Sequence, residues 1–114
     1  MPELYRYHGL NLESAFPLPG LPAASGEADI RITLAPIGTR PPEPAESGSW
    51  YCITSSDTSM VWEEFAAIRV REGRQILFDP VGGVEDDWLR SILLGCAFSI
   101  ALQQRGAVPL HASA

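Results

Sequence analysis

The sequence contains no lysine, and all eight of its basic residues are arginine. No lysine is therefore available to form a Schiff base with a carbonyl substrate or to contact nucleotide phosphates in a Walker-type loop. The 114 residues exclude both chemistries for this chain on its own. With 14 acidic residues the formal net charge is −6. That balance argues against nucleic acid as a partner, because nucleic-acid binders usually present a basic face.

Cysteine and histidine are also scarce, with two of each. Cys52 and Cys96 lie far apart without metal-ligand spacing, and His8 and His111 stand at opposite ends of the chain, so no zinc site is predicted. A Cys52–Cys96 disulfide is the less favoured alternative, because a cysteine in an apolar helix usually packs as a small hydrophobic residue. No Ser/His/Asp triad stands out. We expect this chain to bind neither a metal nor a cofactor.

Long apolar runs are few, and the longest apolar stretch, residues 92–102, is shorter than the ~20 residues of a membrane span. The sequence does not open with a basic region followed by an apolar stretch, so no signal peptide is predicted. We expect a cytoplasmic protein that does not contact a membrane.

The hydrophobic fraction of 46% is sufficient for the core of one small domain. Alternating apolar and polar residues predict strands within 3–14, over 29–35 and over 50–54. Residues 68–79 (IRVREGRQILFD) predict a hairpin that turns at Glu72-Gly73.

The segments between these strands are less regular. The proline-rich stretch 16–22 predicts a connector packed on the core, and 38–49 predicts a loop in solvent. Residues 55–59 (SSDTS) predict a turn, and 61–63 are assigned to a further strand on a weak pattern.

A long helix is predicted after the break at residues 80–83. Carboxylates at 85–87 favour its N-terminus, and Gly106 is suited to its C-terminal end. Apolar residues occupy nearly every face from 88 to 102, so we expect the helix to be buried on most sides. Three small residues recur every four positions and predict close packing of another element against the helix: Ser91, Gly95 and Ser99.

Together these patterns predict an α+β fold. A small, mostly antiparallel sheet of about five or six strands would pack on one long buried helix. Residues 1–106 would form this domain, and residues 107–114 (AVPLHASA) would form a final strand.

Two groups of residues are candidates for function. Arg69, Arg71 and Arg74 cluster at the predicted hairpin, where a solvated strand face is the ordinary interpretation and contact with an anion or an acidic peptide is the functional one. His111 lies among small and apolar residues, where a single histidine is more often a hydrogen-bonded core residue than a catalyst.

Several motifs, taken in order, resemble the N-terminal part of HPr kinase-related serine kinases, which include the kinases encoded beside lasso-peptide and related peptide-modification genes. The motifs are YRYHGLNLESAFPLPGLP, ADIRITL, REGRQILFDP, the long helix and RGAVPLHASA. In that family the LHAS strand leads through a turn and a second strand into a phosphate loop of the GxSGxGKST kind. The resemblance covers essentially the whole chain.

The resemblance implies the N-terminal domain, or a truncated form, of an ATP-dependent kinase acting on a serine of a small protein or precursor peptide, with ATP and Mg²⁺ as cofactors of the longer parent. The phosphate loop, its lysine, the metal-binding carboxylates and the catalytic base would all follow Ala114, so this chain would be inactive alone. Residues 107–114 would then be the first strand of the kinase domain. His111 matches a histidine shortly before the loop and would support the phosphoryl-transfer site.

Two alternatives remain open. The chain could be a stand-alone module whose exposed strand edge, with Arg69, Arg71 and Arg74 nearby, binds an extended acidic peptide. It could also self-associate through the C-terminal strand, since an unpaired apolar edge invites a partner.

Overall fold

The computed structural model describes residues 3–37, 49–62 and 65–106, with the backbone alone described for 49–52. These residues form an α+β domain in which one sheet is covered on one face by a C-terminal helix. The strands are β1 Glu3–Tyr7, β2 Leu10–Ser14, β3 Ile30–Leu34, β4 Ser49–Ile53, β5 Asp57–Trp62, β6 Ala66–Arg71 and β7 Gln75–Pro80.

The sheet is mixed, with the strand order β1-β2-β3-β7-β6-β5-β4. Neighbouring strands are antiparallel except for two parallel pairs, β2 with β3 and β3 with β7. The expectation of a mostly antiparallel sheet is confirmed, but the described residues form seven strands rather than five or six. The parallel pairs arise because residues 15–29 carry the chain back before β3 begins, which inserts β3 between the two hairpins.

Two tight hairpins, β1–β2 and β6–β7, lie on either side of β3 in the sheet. The β1–β2 hairpin turns at His8 and Gly9, with φ of 49° and 79°, and the β6–β7 hairpin turns at Glu72 and Gly73, with φ of 55° and 64°. Positive φ at both central residues is what a type I′ turn requires, and its twist matches that of the flanking strands. The turn predicted at Glu72-Gly73 is confirmed.

The core lies between the sheet and the helix. The segment after β2 completes it: Phe16 and Leu18 are buried, and Phe16 meets Phe78 edge-to-face at 5.4 Å between ring centroids. The proline-rich stretch is therefore a packed connector, as predicted. The largest fully buried side chains come from the connector, the inner face of the sheet and the helix: Leu12, Leu18, Ile30, Ile68, Val70, Ile76, Phe78 and Leu93.

The helix is continuous over residues 86–104 and has three parts. These are α1 Asp86–Ser91, a π-helical turn Ile92–Ala97 and α2 Phe98–Gln104. Gly106 follows with φ of 84°, the left-handed conformation that often ends a helix.

The expectation that this helix is buried on most sides is not confirmed by the described residues. A single stripe is fully buried, formed by Leu89, Leu93, Ala97, Phe98 and Ala101, while Trp88 is 61% exposed. The described residues supply only one layer, the sheet, to cover the helix, and one layer can bury only one stripe of a cylinder.

The small-residue stripe points away from the core. A Cβ added at Gly95 would meet no described atom within 4 Å, and the Ser99 hydroxyl donates instead to the Gly95 carbonyl at 2.6 Å. The predicted close packing at Ser91, Gly95 and Ser99 is therefore not observed among the described residues.

One further prediction needs correction, and two concern segments outside the described residues. The turn expected over 55–59 is shorter than predicted, because β5 already begins at Asp57. The predicted loop over 38–49 lies outside the described residues except for Ser49, which begins β4. The predicted final strand over 107–114 lies outside them as well, so the structure does not test self-association through that strand. Within the described ranges, no helix has the length and apolar character needed to cross a membrane.

Candidate functional site

The face of the sheet opposite the helix carries a row of charged and polar side chains. Cα partners across adjacent strands place Glu13 beside Arg31, Arg31 beside Gln75, Gln75 beside Arg71, and Arg71 beside Asp57. Paired residues share a face of the sheet, so all five side chains project from the same surface. We call these five residues the outer row.

Asp57, at one end of the outer row, forms an ion pair with Arg69 on the neighbouring strand. Arg69 donates from Nε to Oδ1 at 3.1 Å and from Nη2 to Oδ2 at 2.7 Å. This two-pronged geometry is the strongest form of arginine–carboxylate contact. It occupies both oxygens of Asp57 and fixes the orientation of the Arg69 guanidinium.

The ion pair shifts the protonation equilibria of both partners. Hydrogen bonds from Arg69 hold the pKa of Asp57 below its ordinary value of 3.8, with further lowering from the charges of Arg69 and Arg71, while burial acts in the opposite direction. The hydrogen bond with Asp57 raises the pKa of Arg69. Both groups therefore remain charged across the neutral range.

The three arginines predicted to cluster have different environments. Arg69 is held by Asp57, whereas Arg71 approaches the same carboxylate only at 3.9 Å from Nε to Oδ2. Arg74 lies in the hairpin turn, where its backbone N–H donates to the Arg71 carbonyl at 3.0 Å. The structure thus places them near one another, but they do not act as three equivalent cations.

Sequence reasoning missed Arg31. Its pairing with Gln75 brings it two strands from Arg71, which corresponds to about 10 Å between Cα atoms at the usual strand spacing. The alternation in DIRITL indicates that Arg31 faces away from the core. It does not indicate which strand lies beside β3, because the parallel β3–β7 pairing joins segments more than 40 residues apart.

The other predicted site residues contribute less. His111 lies outside the described residues. Cys96 is a free cysteine whose Sγ lies 3.7 Å from Sδ of Met60, and burial raises its pKa above 9.0, which makes a reactive thiolate unfavourable. Among the described residues no group of three His, Cys, Asp or Glu side chains could hold a metal ion.

A shallow groove beside β1 is lined by residues whose polar groups are already used within the fold. The Ser14 hydroxyl donates to the Phe16 carbonyl and accepts from the Phe16 N–H. The Tyr5 hydroxyl donates to Glu3 and accepts from the N–H of Leu18. These bonds secure the packed connector, and the groove offers no polar group arranged for a ligand.

An exposed aromatic pair lies near the start of the helix. Phe65 and Trp88 stack at 6.0 Å between ring centroids with an interplanar angle of 20°. The two rings form a small exposed apolar patch, but no described feature identifies a ligand for it.

The chain was also compared with protein-family models, curated proteins and solved structures. No family model, no curated protein and no solved structure matches this chain.

Proposed function

We propose that this chain is the N-terminal domain of an HPr kinase-related serine kinase. The proposal rests on the order of the sequence motifs that resemble that family. Four of these motifs fall on described elements of the domain. YRYHGLNLES covers the β1–β2 hairpin, FPLPGLP the packed connector, ADIRITL β3, and REGRQILFDP the turn after β6 together with β7. The motifs follow one another in the order that the family has, with β4 and β5 between the third and the fourth.

In this proposal the parent protein transfers the γ-phosphoryl group of ATP to a serine of a small protein or peptide, with Mg²⁺ bound to the nucleotide. A following domain would supply the phosphate loop with its lysine and the metal ligands. The lysine has to come from outside this chain, because the chain contains none. The role of the present domain would be to carry and orient that kinase domain or its substrate. His111 keeps its proposed place near the phosphoryl-transfer site.

Calorimetric titration of this chain with ATP and Mg²⁺ tests the proposal. We expect no binding in the micromolar range, because the chain contains no lysine to serve in a phosphate loop. Micromolar affinity for ATP would contradict the assignment of nucleotide binding to a separate domain.

A second candidate function is a stand-alone module that binds an extended acidic peptide. The outer-row arginines favour it, since Arg31 and Arg71 give one sheet face two exposed cations. The edge at β1 is already covered by the connector. The Arg6 N–H donates to the Pro22 carbonyl, and the Ala24 N–H donates to the Leu4 carbonyl. An added strand would therefore have to pair with β4, the opposite edge of the described sheet.

Titration with an extended glutamate-rich peptide separates the two candidates. Binding that is lost when Arg71 is changed to glutamate would favour the module. An absence of binding would leave the kinase-domain assignment as the better account.

A further inference from the structure

We propose that Arg31, Gln75 and Arg71 form a binding site for a phosphate monoester, carried on a serine side chain of a peptide. The choice of serine rests on the proposed kinase function, whereas the site itself rests on geometry and charge. It would let the domain hold the phosphorylated product, or a substrate that is already phosphorylated elsewhere.

The geometry suits a single tetrahedral anion. Arg31 and Arg71 stand one strand to either side of Gln75, about 10 Å apart at the Cα atoms. Their guanidinium groups contact carboxylates on the outer sides, Glu13 and Asp57, and both side chains are long enough to turn over the central amide when an anion binds. A phosphate monoester offers three strong acceptor oxygens and a charge near −2. It can accept from both guanidinium groups and from the Gln75 amide at once. A carboxylate has only two oxygens in one plane, which one arginine fork satisfies.

The carboxylates in the outer row leave positive charge available. Glu13 contacts Arg31 once, at 3.5 Å from Oε2 to Nε, between side chains that are 37% and 68% exposed. Exposed pairs of this kind stabilise by only about 0–1 kcal/mol. Asp57 is occupied by Arg69 at 2.7 Å and lies 3.9 Å from Arg71. Because neither carboxylate grips them tightly, the guanidinium groups of Arg31 and Arg71 are free to accept a stronger anionic partner.

The surrounding sheet holds the site in place. The backbone N–H of Arg31 donates to the Arg74 carbonyl at 2.8 Å, which ties β3 to the β6–β7 hairpin. Behind the outer row, Ile30, Ile76 and Val70 are fully buried. The backbone positions of the three ligand residues are thus set by the core, and only their side chains need to move on binding.

Titration monitored by amide chemical shifts tests this proposal. The probe is the capped pentapeptide Gly-Gly-phosphoserine-Gly-Gly, compared with its unphosphorylated form, with the aspartate analogue and with inorganic phosphate. We expect the phosphopeptide to bind at least tenfold more tightly than the other two peptides and more tightly than inorganic phosphate, with the largest shifts at Arg31, Arg71 and Gln75. Equal affinity for the aspartate peptide would overturn the preference for phosphate. Equal affinity for inorganic phosphate would overturn the assignment to a peptide.

Variants locate the site. Arg31→Gln and Arg71→Gln should each weaken phosphopeptide binding at least tenfold, whereas Arg74→Gln, the matched control in the turn, should change it less than twofold. Glu13→Gln removes the carboxylate that competes for Arg31 and should tighten binding, which a misfolded variant could not do. Unchanged binding in Arg31→Gln, or weaker binding in Glu13→Gln, would overturn the proposal. Neither result bears on ATP binding, so the proposed kinase function stands or falls separately.

Discussion

The side chain of Gln104 joins the end of the helix to the turn of the β6–β7 hairpin through the backbone of Gly73. The Gly73 N–H donates to Oε1 of Gln104 at 2.8 Å, and Nε2 of Gln104 donates to the Val70 carbonyl at 2.9 Å. One amide thus satisfies a donor and an acceptor of the hairpin backbone. This contact ties the end of the helix to the hairpin that carries Arg71 and Gln75.

Replacing Gln104 with leucine should lower the free energy of unfolding by about 1–3 kcal/mol. The variant leaves the Gly73 N–H and the Val70 carbonyl without these partners in a partly buried setting, and unsatisfied groups of this kind cost that much. Urea denaturation followed by circular dichroism measures the change. The neighbouring Gln103 is exposed, so Gln103→Leu is the matched control and should change stability by less than about 0.5 kcal/mol.

Gly73→Ala should destabilise the domain by more than a turn glycine normally would. A Cβ at Gly73 would collide with Cγ of Arg105 and approach the Ala101 carbonyl oxygen to 2.9 Å, at a φ of +64°. Gly9→Ala is the control, because Gly9 also has positive φ but open space around it. Backbone strain at positive φ costs about 1 kcal/mol in either variant. We expect Gly73→Ala to lower the free energy of unfolding by at least about 1 kcal/mol more than Gly9→Ala does. Equal thermal shifts in the two variants would show that the helix end does not press on the turn.

Asp57 should make stability depend on pH in the acid range. Its pKa in the folded protein is below 3.8 because Arg69 hydrogen-bonds to its charged form. The stabilisation is therefore present above the unfolded-state pKa and is lost as pH falls through the folded-state pKa. Urea denaturation at pH 6 and at pH 3 should show wild type more stable than Asp57→Asn at pH 6, with a smaller difference at pH 3. A difference that does not shrink in acid would contradict this role for the ion pair.

Truncating the buried stripe of the helix should be far more costly than truncating its exposed side. Leu93 is fully buried, and Leu93→Ala should destabilise by about 2–5 kcal/mol, the usual range for a leucine removed from a core. Trp88→Ala removes a larger but 61% exposed side chain, and it should cost less than about 1.5 kcal/mol, mainly through the stack with Phe65. Similar losses in both variants would indicate that the helix is covered on the side of Trp88 as well.

The features that the sequence alone could predict are those governed by local chemistry. The Glu72-Gly73 turn, the alternation in β3 and the buried connector around Phe16 and Leu18 each follow from residue types within a few positions of one another. The continuous helix ending at Gly106 belongs to the same class.

The features that were missed depend on contacts between distant segments. The apolar residues around the helix could not reveal that one sheet would cover only the Leu93 side. The insertion of β3 beside β7 is also non-local, and it is this pairing that brings Arg31 into the outer row. The pairing of Asp57 with Arg69 across neighbouring strands depends on the register of β5, whose first residues resemble a turn.

The central claim, that this chain is a domain of a serine kinase, is tested most directly by reading the parent reading frame beyond codon 114. We expect a GxxxxGK[ST] motif within about fifty codons, supplying the lysine and hydroxyl that phosphate binding requires. A stop codon directly after Ala114, or a continuing frame without that motif, would contradict the claim.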